Sequence, residues 1–113
     1  RGSIIIADLG QYETSNQSGI RPCVVMSNDM ANRHSPVITV VPLTSKIHKK
    51  EYLPTHVLLN GYRNTGLDRH SLALCEQITS VAFSDILEVA GRVSQRKMAE
   101  IGHAVKVQCG LAA

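Results

Sequence analysis

The sequence holds 113 residues, 43% apolar and 19% charged, with a formal net charge of +3. That length suits a single domain over residues 1–113 burying roughly two thirds of its unfolded surface, so neither metal nor disulfide staples are required. With Phe83 the only phenylalanine, three tyrosines and no tryptophan, the composition argues against a nucleic-acid binder built on aromatic stacking. It leaves open one that works through charge and backbone contacts, which the mild positive charge suits.

The chain opens with Ser3 to Leu9, SIIIADL, a β-rich run that stops at Gly10. Gln11 to Gly19 is polar and reads as a loop. The next run, RPCVVMS, is short, continuous and apolar, bounded by turn residues, and predicts a buried strand with Arg21 at its mouth. Asn28 to Ser35 has turn chemistry, because Asn, Asp and Ser side chains bond their own backbone. Pro36 to Leu43 is a third strand with prolines at its ends, where they are tolerated. Thr44 to Leu53 is a basic loop.

Two further strands are predicted over Pro54 to Gly61 and His70 to Ile78, the second alternating Leu72, Leu74 and Glu76 against Ala73, Cys75 and Gln77. SDILEVAGRV, capped by Ser84, reads as a short helix or turn stopping near Gly91. From Ser94 the pattern becomes helical, with a Ser94 cap, an apolar stripe through Met98, Ile101 and Val105, and Gly110 as the stop. The expected outline is a small, strongly bent, mainly antiparallel sheet or barrel with a packed C-terminal helix.

Cys23, Cys75 and Cys109 are odd in number and far apart, and no cysteine or histidine pair has metal-ligand spacing. They read as small hydrophobes in a reducing cytoplasm, Cys109 within the last helix, with no structural zinc. No signal peptide or membrane-length apolar run is present in the sequence. A start at Arg1-Gly2 without methionine is expected to mean that a few native residues are missing.

The polar residues that carry chemistry fall at strand ends. Arg21 opens the second strand, Thr44 and Ser45 close the third, and Glu76 and Gln77 close the fifth. A guanidinium fork, a hydroxyl and an amide brought to one rim of a small barrel form a set for binding phosphate. The loop with Lys46, His48, Lys49 and Lys50 would draw in a polyanionic backbone. Each element has an ordinary alternative: a solvated strand-end arginine, a terminating hydroxyl pair, a solvated basic loop. His34, His48, His56, His70 and His103 show no metal-binding or paired spacing and read as surface or turn residues, His48 alone being a possible participant.

Six stretches, RGSIIIADL, NQSGIRPCVVMSND, ANRHSP, PLTSKIHK, LPTHV and LCEQI, resemble in order and spacing the MazF/PemK toxins, from Arg1 to about Leu111. The resemblance implies an SH3-like β-barrel of the PemK/CcdB type with a C-terminal α-helix, and a homodimer. It implies sequence-specific, metal-independent and cofactor-free cleavage of single-stranded RNA (mRNA) to 2′,3′-cyclic phosphate and 5′-hydroxyl ends, blocking translation. It also implies a cognate MazE-like antitoxin with an acidic, disordered tail, and a cytoplasmic setting with no membrane partner.

On this resemblance the catalytic pair falls on Arg21 and Thr44. RNA contacts fall on Asn16, Gln17 and Ser18, on Ser45, Lys46 and Lys49, and on Glu76 and Gln77. Two positions depart from the family pattern: Ser3 stands where an acid is usual, and Asn16-Gln17-Ser18-Gly19 where E-Q-G-G is common. The alternatives carried forward are a non-cleaving binding toxin of the gyrase-poison type and a catalytically degenerate antitoxin-binding homologue.

Overall fold

Close-set β-branched residues make Val37–Thr44 the longest strand, and the rest of the sheet is organised on it. The computed structural model describes residues 1–11, 17–46, 53–61 and 63–112. In chain order the elements are β1 (Ser3–Asp8), β2 (Ile20–Val25), α1 (Asp29–His34), β3 (Val37–Thr44), β4 (His56–Leu59), β5 (Ser71–Leu74), β6 (Thr79–Ala82), β7 (Ile86–Arg92) and α2 (Gln95–Gln108). Every pairing is antiparallel, in the order β4-β5-β3-β2-β1-β7, with β6 on the first half of β3. Register shifts at two points between β1 and β7 bend this edge. The architecture is the expected small, barrel-like antiparallel sheet with a C-terminal helix.

Alternation along the strands sends neighbouring residues to opposite faces of the sheet. Ile4, Val24, Val41 and Leu43 join Met98, Ile101 and Ala104 of α2 in one apolar cluster. Ile5, Cys23, Val25, Ile38 and Val40 form a second cluster with Val81 on the other face. α2 begins as expected, the Ser94 hydroxyl accepting the Lys97 N–H at 3.2 Å. Gly110, at φ +73°, lies in the left-handed region that ends helices.

Four local expectations are corrected. Asn28 to Ser35 is not merely a turn: the Asn28 side chain accepts the Ala31 N–H at 2.8 Å, and this cap, with Asp29 in the first turn and Arg33 and His34 in the last, starts α1. The stretch after Ser84 is strand β7 rather than a helix, because pairing with β1 outweighs the helical leaning of Leu87, Glu88 and Ala90. The predicted fifth strand, His70 to Ile78, stops early: β5 ends at Leu74, Cys75–Gln77 form a 3-10 turn, and β6 lies beyond the predicted run. Cys109 caps the end of α2 and is exposed, whereas Cys23 and Cys75 are buried as expected.

Candidate active site

β2 and β3 pair from Val25 opposite Val40 to Cys23 opposite Pro42, and there the ladder ends. Neither Pro22 nor Pro42 has an N–H with which to continue it. Past that pair β2 runs back to Arg21 against β1, while β3 runs on to Thr44 and turns to pair with β5 through Leu43 and Thr44. By alternation Arg21 shares the face of Cys23 and Val25, and Thr44 that of Pro42 and Val40. The two sequence-predicted residues therefore lie on the same side of the last β2–β3 pair, in adjoining strands.

Arg21 is half-buried, and its Nε donates to the Ser18 carbonyl at 2.9 Å. Its terminal nitrogens make no hydrogen bond to another described residue, so the end of the fork is available to a ligand. Burial pushes the neighbouring Cys23 thiol up to about 12, with the Arg21 charge pulling the other way. Thr44 is half-buried, and its Oγ1 accepts the Lys46 N–H at 3.2 Å, which turns the chain out of β3. Ser45 and Lys46 are exposed beside it.

Glu76 and Gln77 stand on the 3-10 turn rather than on a strand. Gln77 Oε1 accepts the Gln17 N–H at 2.7 Å, tying this turn to the segment that enters β2. That segment is closed at its base by hydrogen bonds from Leu9 N to Gly19 O at 2.9 Å and from Gly19 N to Gly10 O at 2.7 Å. Gly19, at φ +75°, takes a conformation that L side chains rarely adopt. Arg21, Ser18, Gln17, Gln77 and Glu76 thus form one connected rim. Asn16, His48, Lys49 and Lys50 lie outside the described residues.

One residue of this network was misread from sequence. His56, expected at the surface, has a side chain only 1% exposed, with Nε2 2.8 Å from Glu76 Oε2. The available signal was its place at the head of an apolar strand, HVLL, after Pro54 and Thr55. Its pairing with Leu74, two residues before Glu76, needed the fold. Gln17 Oε1 and Glu76 Oε1 are buried and have no hydrogen-bond partner among the described residues. No group of three His, Cys, Asp or Glu side chains able to hold a metal occurs among them.

A guanidinium held by a backbone carbonyl and a hydroxyl at the end of the adjoining strand are groups that can bind a phosphate and stabilise charge developing on it. Residues 1–109 match the family described as PemK-like, MazF-like toxin of type II toxin-antitoxin system. The chain is 36% identical over 111 residues to an endoribonuclease MazF of Staphylococcus saprophyticus, covering 98% of this chain and 91% of that protein. In fold it is similar to MazF from Deinococcus radiodurans, with a TM-score of 0.81, 21% identity and coverage of 96% and 94% of the two chains. An endoribonuclease in complex with its cognate antitoxin, from a mycobacterial species, gives 0.77 at 24% identity, covering 100% of this chain and 96% of that one. No helix among the described residues is long and apolar enough to cross a membrane.

Proposed function

The chain belongs to the PemK-like, MazF-like toxins of type II toxin–antitoxin systems and is an endoribonuclease, and from that premise we propose that it cuts single-stranded RNA at a short sequence by transesterification without a metal. The 2′-hydroxyl attacks the adjacent phosphorus in line and the 5′-oxygen leaves, giving a 2′,3′-cyclic phosphate and a 5′-hydroxyl. Arg21 stabilises the charge that develops on the non-bridging oxygens. A guanidinium holds its proton near neutrality and is a poor base, so this electrostatic role comes first. Thr44 bonds a phosphate oxygen or passes a proton to the leaving group. What supports the reading is that Arg21 and Thr44 both lie past the last β2–β3 pair, on its same side, with Arg21 held at Nε by Ser18.

Ser45 and Lys46 extend the phosphate-binding surface, with Lys49 and Asn16 completing it from the adjoining segments. Gln17, Ser18, Glu76 and Gln77 face the bases. Cleavage of mRNA blocks translation, and a cognate antitoxin with an acidic, disordered tail covers the same basic rim. A second copy of the chain covers the apolar groove of about 400 Å³ between Ile5, Val25, Ile38, Phe83, Ile86 and Val89.

The test is incubation of the protein with a long single-stranded RNA in EDTA beside Arg21→Ala, with the fragment ends read by mass. Discrete cuts ending in cyclic phosphate are expected, slowed about 100- to 1,000-fold in the variant. A DNA copy of the substrate, lacking the attacking hydroxyl, stays whole. Intact RNA after incubation with folded wild-type protein would refute the reading.

A further inference from the structure

The 3-10 turn at Cys75–Gln77 is tied firmly to the core. Cys75 is fully buried and its N–H donates to the Thr55 carbonyl at 3.0 Å. Glu76 Oε2 lies 2.8 Å from His56 Nε2, and Ile78 packs on the helix-covered cluster. Gln77 therefore stands on a rigid support, and its Oε1 accepts the Gln17 N–H at 2.7 Å across 60 residues of chain. The next residue, Ser18, supplies the carbonyl that accepts from Arg21 Nε at 2.9 Å. On its other flank Ser18 meets Gly19, whose bonds to Leu9 and Gly10 belong to the hairpin of β1 and β2. Among the described residues, Gln77 is the one side chain that hydrogen-bonds this segment to another part of the sheet.

An arginine stabilises a developing charge best when its fork already points to where that charge appears. The long Arg21 side chain turns about several bonds, and the hydrogen bond at Nε decides where its terminal nitrogens lie. The Ser18 carbonyl fixes them only as firmly as its own peptide is held. That peptide adjoins Gly19, at φ +75°, and glycine is the most pliant of residues. We propose that Gln77 is a positioning residue: its carboxamide oxygen holds the Gln17–Ser18 segment, the Ser18 carbonyl holds Arg21 Nε, and the guanidinium is thereby aimed before RNA arrives. The proposal rests on the ribonuclease reading above, in which Gln77 faces the bases, and gives this residue a second task exerted through the backbone.

The experiment is a double-mutant cycle read by cleavage of the same long single-stranded RNA in EDTA, with the full chain in excess over a range of concentrations. The rate at saturation and the half-saturating concentration are then separate readings. Gln77→Met keeps the size of the side chain and removes its acceptor. It should slow the saturated rate about 10- to 100-fold, as misplacing a reacting group does, and shift half-saturation less than about threefold. In the Arg21→Ala background the same change should slow cutting less than about twofold, because the group it positions is gone. Gln77→Glu, which keeps an oxygen acceptor, should recover most of the lost saturated rate, while its charge weakens RNA binding. A Gln77 that acted only on the bases or only on the fold would slow Arg21→Ala as much as it slows the wild type. That result overturns the proposal and leaves the ribonuclease reading standing. So does a Gln77→Met protein that reaches the wild-type rate at a higher concentration. If Gln77→Met does not fold, Gln77→Asn, whose acceptor falls one methylene short, takes its place in the cycle, and equal slowing in both backgrounds overturns the proposal. Folded wild-type protein that leaves the RNA whole, or Arg21→Ala that cuts as fast as wild type, brings down the ribonuclease reading and this inference together.

Discussion

The two faces of the central sheet are built from adjacent residues of the same strands, yet they end differently. Ile4 and Val24 point to the face that α2 covers with Met98, Ile101 and Ala104, and there the core is complete within one chain. Ile5 and Val25 point to the face where β7 and the turn before it leave Phe83 and Val89 exposed, Val89 by 69%. The chain's last helix can cover only one face of a sheet that is apolar on both. A contiguous apolar surface of this kind is where association occurs. The covered face should set the stability of the fold, and the open face the state of assembly.

The largest effect is expected where the helix closes the core. Ile101, fully buried, should lose about 2–5 kcal/mol of stability as Ile101→Ala, measured by urea unfolding. A loss below about 1 kcal/mol would mean that α2 is not what completes this face.

An intermediate effect divides equally between the faces. Cys75 lies in the helix-covered cluster and Cys23 in the other, and burial pushes both thiols up to about 12. In the unfolded chain they ionise near 9. Their contribution is complete below pH 9 and is lost as the pH rises from there towards 12. At pH 10 this amounts to roughly 1 kcal/mol for each thiol, which Cys23→Ala and Cys75→Ala should each remove from the alkaline slope of a stability–pH curve. In native protein at pH 8, iodoacetamide should modify exposed Cys109 and spare the other two. Modification of Cys23 as fast as Cys109 would show that the open face admits solvent to its interior.

The smallest effect on the fold is expected at Val89. Val89→Asp should change unfolding free energy by less than about 0.5 kcal/mol, while sedimentation reports a shift from dimer towards monomer. If Val89→Asp unfolds the chain as Ile101→Ala does, the distinction between the faces fails.

What the sequence determined by itself was whatever depends on near neighbours. The Ser94 cap and the Met98–Ile101 spacing specified α2, and the β-branched runs specified β1, β2 and β3, because capping and periodicity act within a few residues. The family-like motifs brought Arg21 and Thr44 forward as a pair, and both lie past the same end of the β2–β3 ladder. The tertiary structure alone decided that Ile86–Arg92 pairs with β1 as a strand, since this segment's own propensities are ambiguous and its partner lies some eighty residues earlier. It alone decided that His56 is buried against Glu76, 20 residues away. A histidine's burial depends on the strand laid beside it and on the acceptor that strand delivers, and both arise from long-range pairing that no local pattern encodes.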